Sequence, residues 1–365
     1  MFRKIILCGI KTPRSIIIFY RRTMKLKINR LDEPCKLKRL AEVLPLETPF
    51  SLLIDPSNIC NFKCSFCPTG HPQMLAKVAR PSVVMDFALF CKIVDDAWKV
   101  GWKFEKINLC KDGEPFLNKN LAKMVAYAKA KQIAKDISIT SNGLLIDEAR
   151  ARGIIEAGLD SIRISVEHVS DEGYKKITNT PTKYEHIRKN VEYLFNEKTK
   201  RKSDLKIHAK LIDTGLSDLE KEKFVRDFTN ISDSINVNPV DGRNNSQWYD
   251  FTLGQGISSA TDYANTSSKI NRQVCPHSFY SMAVNSNGLV SVCCMDWSLD
   301  AIIGDVRKES LVEIWRGEKL RNFRILHLKG ERKKINICAD CHLVMGAPIE
   351  SDLDDASESL LAVYE

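Results

Sequence analysis

The chain has 365 residues, of which 28% are charged and 44% hydrophobic, and a net charge of +9. This is the composition of a soluble globular protein, and the length suggests two domains or one α/β barrel with an appendage. Twelve cysteines with no secretory signal point to a reducing, cytoplasmic compartment, where thiols serve as metal ligands rather than disulfides.

Residues 1–40 hold twelve Lys or Arg against Asp32 and Glu33, so this part of the N-terminal arm, 1–49, carries the positive excess. The remainder is near neutral and lacks the basic stripe of a nucleic-acid binder. The longest apolar runs of the arm, 5–10 and 16–20, are broken by Lys11, Pro13 and Arg14. They fall far below the ~20 apolar residues of a spanning helix. Peripheral contact with an anionic membrane and a translation start at Met24 are both open readings of this arm. The expectation adopted is a cytoplasmic enzyme that does not require it.

From residue 50 a strand and a helix alternate six times. Strands are expected at 50–55, 106–110, 136–140, 160–166, 205–211 and 234–239, and helices at 86–100, 118–131, 146–157, 184–195 and 219–228. Strands alternating with helices mean parallel strands joined by right-handed crossovers.

The first strand runs into Asn58-Ile-Cys-Asn-Phe-Lys-Cys-Ser-Phe-Cys-Pro-Thr-Gly70, which places Cys60, Cys64 and Cys67 in one short loop. Three thiolates at C-x3-C-x2-C spacing suit a [4Fe-4S] centre with one iron left open, because soft sulfur ligands hold such clusters. A structural zinc would want a fourth ligand nearby, and buried packing thiols are the bland alternative. With Phe66 before the last cysteine, the loop resembles the radical S-adenosylmethionine (SAM) superfamily. The resemblance covers 50–241 and implies a partial (β/α)6 barrel. It also implies that SAM chelates the open iron and is cleaved to a 5'-deoxyadenosyl radical by an electron from the cluster.

In a parallel barrel the chemistry sits at the carboxyl ends of the strands. Lys111-Asp-Gly-Glu-Pro115 follows the second strand and resembles the family's Gly-Gly-Glu-Pro motif, with Asp112 in place of the first glycine. The resemblance assigns Gly113, Glu114 and Pro115 to the amino group of SAM. Ser141-Asn142-Gly143 after the third strand looks like the family's Thr/Ser-Asn-Gly turn. Ser165 and Glu167 end the fourth, where the family binds the SAM carboxylate and ribose. Singly, each is an ordinary turn. Their order along the strand ends makes the pattern.

Residues 244–274 are polar and read as a linker or substrate-proximal loop. Beyond them come Cys275, a hairpin of strands 279–284 and 289–292, the pair Cys293-Cys294, an amphipathic helix at 310–327, and Cys338-x-x-Cys341. This small α+β region, 275–345, resembles the SPASM/twitch auxiliary-cluster domains of radical SAM enzymes, and 346–365 reads as an acidic tail. The resemblance implies a second [4Fe-4S] cluster on Cys275, Cys293, Cys338 and Cys341, with Cys294 in reserve for Cys293. Spacing alone leaves structural zinc open. Cys8, Cys35, Cys91 and Cys110 read as packing residues.

No cysteine follows Cys341, so only one auxiliary cluster is expected, which resembles the aminocyclitol dehydrogenase type. About fifty residues before the first strand are too few for a peptide-recognition module. The resemblance therefore implies an oxidoreductase that oxidises or rearranges a C–H bond of a small polar substrate: a sugar, nucleotide sugar or aminocyclitol. Hydrogen abstraction would be followed by proton loss and electron transfer to the auxiliary cluster, and a flavodoxin or ferredoxin would supply the first electron. A peptide-modifying maturase is the alternative. Arg243, His208, Lys210, Asp241 and His168 lie near strand ends as candidate bases.

Overall fold

A computed structural model describes residues 39–239 and 272–365, with 340, 342 and 348 excepted. Cys8, Cys35, Asp241, Arg243 and most of the expected arm and linker lie outside the described residues.

The expected strand–helix alternation is present. The strands β1 (Ser51–Ile54), β2 (Phe104–Asn108), β3 (Ala134–Ser141), β4 (Ser161–Val166), β5 (Lys206–Asp213) and β6 (Ser234–Pro239) lie side by side in chain order, all parallel. The helices are α1 (Pro72–Lys77), α2 (Phe87–Lys99), α3 (Leu121–Lys131), α4 (Glu148–Glu156), α5 (Asp171–Thr178), α6 (Tyr184–Lys200) and α7 (Asp218–Phe228).

The two faces of this sheet differ sharply. Buried apolar residues stand in register across strands, as in Leu52–Ile107–Ile137 and Ile139–Ile162–Ile207. They share one core with Phe90 and Ile93 of α2, Met124 of α3, Ile154 of α4, Val191 of α6 and Phe224 of α7. The alternate positions are polar and also in register, as in Thr140–Arg163–His208–Ser234 and Ser165–Lys210–Asn236. Parallel strands covered by helices on both faces read as continuous apolar runs. The alternation of β4 and β5 instead means that helices cover only one face and leave the other polar.

The C-terminal region joins this sheet directly. β7 (Ser281–Val284) pairs in parallel with β1, and β8 (Leu289–Ser291) and β9 (Ile302–Asp305) follow antiparallel, giving nine strands in the order 6-5-4-3-2-1-7-8-9. The sheet thus runs unbroken across the boundary expected at 275.

Four expectations change in detail. The helix expected over 310–327 is two, α8 (Leu311–Arg316) and α9 (Glu318–Leu328), because Gly317 adopts an extended ψ of 154° between them. The strand expected over 279–284 opens with a helical turn at His277–Tyr280. An additional helix, α5, precedes α6, capped by the Ser170 hydroxyl accepting the Gly173 amide. Finally, the acidic tail is folded. Its last helix, α10 (Ser357–Tyr364), places Leu360 and Tyr364 with Leu353, Leu40, Val274, Phe279 and Leu328 in a second apolar cluster. Among the described residues no helix is long and apolar enough to cross a membrane.

Candidate functional site

The cysteine loop leaves β1 and is held from three sides. Asn58 Nδ2 donates to the Pro81 carbonyl at 2.8 Å, and Asn58 Oδ1 accepts the Val83 amide at 2.7 Å. The C-terminal end of α5 accepts two loop amides, Lys63 N to Thr178 O and Ser65 N to Ile177 O, each at 2.9 Å. Asn179, left-handed with φ of 48°, donates to the Lys63 carbonyl at 2.9 Å. Sequence reasoning missed this support, although Ser170-Asp-Glu is a helix-start signal. A Cβ on Gly70 would stand 2.4 Å from the Cys64 carbonyl oxygen, so the loop closes only around a glycine.

Cys60, Cys64 and Cys67 are brought together. Burial raises all three thiols, Cys60 to about 12, and the charges of neighbouring loop cysteines push Cys60 and Cys64 further in the same direction. Such thiols ionise only when a cation or metal compensates the thiolate. The loop is therefore a donor set suited to a cluster. Phe66 packs against the core at its edge.

The strand-end motifs close over this loop. Gly113 is pressed against it: a Cβ there would lie 2.1 Å from the Ser57 carbonyl oxygen and 2.4 Å from that of Ile59. Glu114 N donates to the Ile59 carbonyl at 2.9 Å. The buried Glu114 carboxylate accepts from Ser141 Oγ at 2.8 Å, the Asn142 amide at 2.8 Å and the Phe116 amide at 3.1 Å. Desolvation nevertheless raises it to about 7. Asn142 Nδ2 donates to Asn61 Oδ1 at 2.7 Å, which ties the third strand end to the loop. Pro115 is buried beside Glu114.

Glu167 is buried, and its Oε2 has no hydrogen-bond partner among the described residues. Desolvation raises it to about 7, opposed by the charge of Lys210, and it acts in turn on all three loop thiols. Ser165 stands in the polar row with Lys210. Of the candidate bases, His208 bonds Ser234 Oγ through Nδ1 at 2.8 Å. Burial and the cations Arg163 and Lys210 lower it to about 4. His168 instead faces Glu220 at 3.5 Å.

The departure at Asp112 has a structural counterpart. Asp112 Oδ2 lies 3.1 Å from Arg80 Nη2 and 2.5 Å from Lys111 Nζ. Lys111 also donates to the Asp296 carbonyl at 3.0 Å. Asp55 adjoins them, bonded to Ser286 Oγ at 2.8 Å and raised to about 6 by burial and by Asp112. This buried charge cluster joins the second strand end to the C-terminal region.

There a cavity is lined by Cys275, Cys293, Cys338 and Cys341, with Met295, Phe323, His327 and Arg332 among its other walls. Cys293, not Cys294, is on the wall; the charge of Lys111 lowers the Cys294 thiol, after the hydrogen bond with Cys293. Burial raises Cys275 to about 12. Cys91 and Cys110 belong to neither set of cysteines, and all ten described cysteines are free. No three described His, Cys, Asp or Glu side chains converge on a single ion. A cubane asks for less convergence, since each cysteine reaches a different iron.

Residues 54–207 match the radical SAM superfamily, and residues 275–342 match the SPASM iron–sulfur cluster-binding domain. The chain is a radical SAM protein with a SPASM domain. A probable GTP 3',8-cyclase of Methanococcus maripaludis is 34% identical over 144 residues, 39% of this chain and 44% of the relative. A GTP 3',8-cyclase of Clostridium acetobutylicum is 28% identical over 186 residues, 51% of this chain and 53% of the relative. The chain thus spans about half the length of the curated relatives it matches. Streptococcus suis SuiB bound to S-adenosylmethionine shares the fold with a TM-score of 0.60 at 15% identity, covering 84% of this chain and 73% of that one. The radical SAM domain takes a [4Fe-4S] cluster and SAM, and the SPASM domain takes an auxiliary iron–sulfur cluster.

Proposed function

We propose that this radical SAM enzyme is an oxidoreductase that oxidises or rearranges a C–H bond of a small polar substrate: a sugar, nucleotide sugar or aminocyclitol. The observation that carries the reading is the polar face of the sheet. Its rows Thr140–Arg163–His208–Ser234 and Ser165–Lys210–Asn236 lie beside the strand ends that meet the cysteine loop. A concavity lined by hydroxyl, amide and cationic groups suits a polyhydroxylated ligand, because each buried donor or acceptor then finds a partner. Arg163 and Lys210 suit a substrate with an anionic group, as a nucleotide sugar carries.

Cys60, Cys64 and Cys67 would hold the first cluster. Glu114, fixed by three hydrogen bonds, keeps a carboxylate lone pair on Oε2 for the amino group of SAM beside Gly113 and Pro115. The unpartnered Glu167 Oε2 suits a ribose hydroxyl, with Ser165 next to it for the carboxylate end. Phe66, Ser141 and Asn142 would shape the walls. Cys275, Cys293, Cys338 and Cys341 would hold the auxiliary cluster. When bound, these groups supply radical chemistry able to take hydrogen from an unactivated carbon, while the protein supplies position and exclusion of water. His208, held neutral, is a group beside the substrate rows able to accept a proton.

The test is anaerobic incubation of reconstituted enzyme, reductant and SAM with cell extract. A metabolite that loses two mass units as 5'-deoxyadenosine accumulates is expected, and Cys338→Ala should keep 5'-deoxyadenosine formation while losing that product. A product of unchanged mass would select rearrangement over oxidation. A modified peptide in place of a small metabolite would overturn the reading in favour of a maturase.

A further inference from the structure

The auxiliary cavity contains two nitrogen donors with no acceptor among the described residues. His327 of α9 is fully buried and forms part of the cavity wall. Its Nδ1 accepts the backbone N–H of Cys275 at 3.2 Å. A ring nitrogen that accepts carries no proton, so the imidazole proton must sit on Nε2. Nε2 is buried and has no hydrogen-bond partner. Arg332, on the same wall, donates through Nη1 to the Cys338 carbonyl, yet its Nε is buried without a partner as well. Two buried N–H groups without partners, on residues that line one cysteine-walled space, call for acceptors within it.

We infer that His327 donates its Nε2–H, and Arg332 its Nε–H, to sulfur atoms of the auxiliary cluster, and that these bonds raise its reduction potential. Reduction adds one electron to the cluster and makes its sulfurs more negative. An N–H···S bond therefore stabilises the reduced form more than the oxidised form. The same tautomer excludes His327 as an iron ligand, because coordination through Nε2 would require the proton on Nδ1, where the Cys275 amide already donates. His327 is thus a positioning residue that holds the Cys275 backbone with one nitrogen and tunes the cluster with the other. The inference rests on this cavity being the auxiliary-cluster site.

The experiment uses reconstituted full-length holoenzyme carrying 15N-histidine, reduced and exchanged into D2O. The auxiliary EPR signal is recognised because added SAM alters only the signal of the other cluster. Electron–nuclear double resonance should show an exchangeable proton and a weakly coupled histidine nitrogen on it. His327→Phe, which keeps a ring against Phe323, should lose the histidine nitrogen coupling and its proton, leaving only the exchangeable coupling that Arg332 supplies. It should also lower the reduced-to-oxidised ratio at fixed potential at least tenfold, about 59 mV for a one-electron couple. His327→Gln, which retains an N–H donor, should recover most of that shift. A wild-type auxiliary cluster without an exchangeable coupling overturns the inference even if the variants do not fold, as does a coupling whose loss leaves the potential unmoved. A wild-type protein that assembles only one cluster overturns instead the assignment of the cavity.

Discussion

Asp112 stands where the motif it resembles carries glycine, and here it neutralises two cations that have no access to water. The side chains of Lys111 and Arg80 are 0% and 2% exposed. Removing one partner of a buried charge group leaves the others uncompensated, which costs roughly 3–5 kcal/mol. Asp112→Gly, although it restores the familiar motif, is therefore expected to lower unfolding free energy by about that amount in urea titration. Asp112→Asn, which keeps the shape but not the charge, should fall between. An Asp112→Gly protein as stable as the parent would show that the cluster is not a stabilising unit. The contrast with Gly113 shows what a sequence reveals at this scale. Gly113 was legible as a turn residue, but the carbonyl oxygens that exclude a side chain come from the cysteine loop, more than fifty positions earlier. The partners of Asp112 were invisible for the same reason, since Arg80 and Asp55 meet it only in the folded chain. Glu167 was legible by its place after a strand. Its unpartnered oxygen required the structure.

Among the elements, the strands of the barrel were the most legible. Their apolar positions alternate with polar ones over four to eight residues, and this pattern survives whatever packs on them. The two-part helix of the C-terminal region was less so, because its apolar positions continue across Gly317 while the backbone does not. The C-terminal segment was read as an acidic tail because Leu353, Leu360 and Tyr364 stand among acids, and their partners Leu40 and Phe279 are remote in sequence. Those acids also bind: Asp354 accepts the amides of Gln273 and Val274 at 2.9 and 2.8 Å, and Asp352 accepts from Arg272 Nε at 3.0 Å. The segment thus fixes the backbone immediately before Cys275. Asp354→Ala is expected to reduce iron bound at the auxiliary site several-fold while leaving the cluster at the Cys60 loop at full occupancy. Mössbauer spectroscopy with iron quantitation measures both, and equal loss from the two sites would refute this linkage.

At the scale of the whole molecule, the expected division into a barrel and an appended domain meets a sheet that does not divide. β7 pairs with β1 through four residues, Ser51–Ile54 against Ser281–Val284, more than two hundred positions apart. No local pattern announces such a pairing, so the boundary at 275 was a fair inference from composition and still misses the continuity. A chain ending at residue 243 would leave β1 as an open edge carrying unpaired N–H and C=O groups and apolar side chains, the usual route to aggregation. Such a fragment is expected to be insoluble or to lack a cooperative unfolding transition. A soluble, cooperatively folding fragment that still cleaves SAM would show that the barrel is independent. The shared sheet has one more consequence. Electron tunnelling slows steeply with the gap that the electron crosses, so a redox partner on a flexible tether delivers a rate blurred by its excursions. With β1 leading to one set of cysteines and β7 and β8 to the other, the distance between the two sets is set by hydrogen-bonded backbone, and an electron passing between clusters held there would cross a gap fixed by the fold.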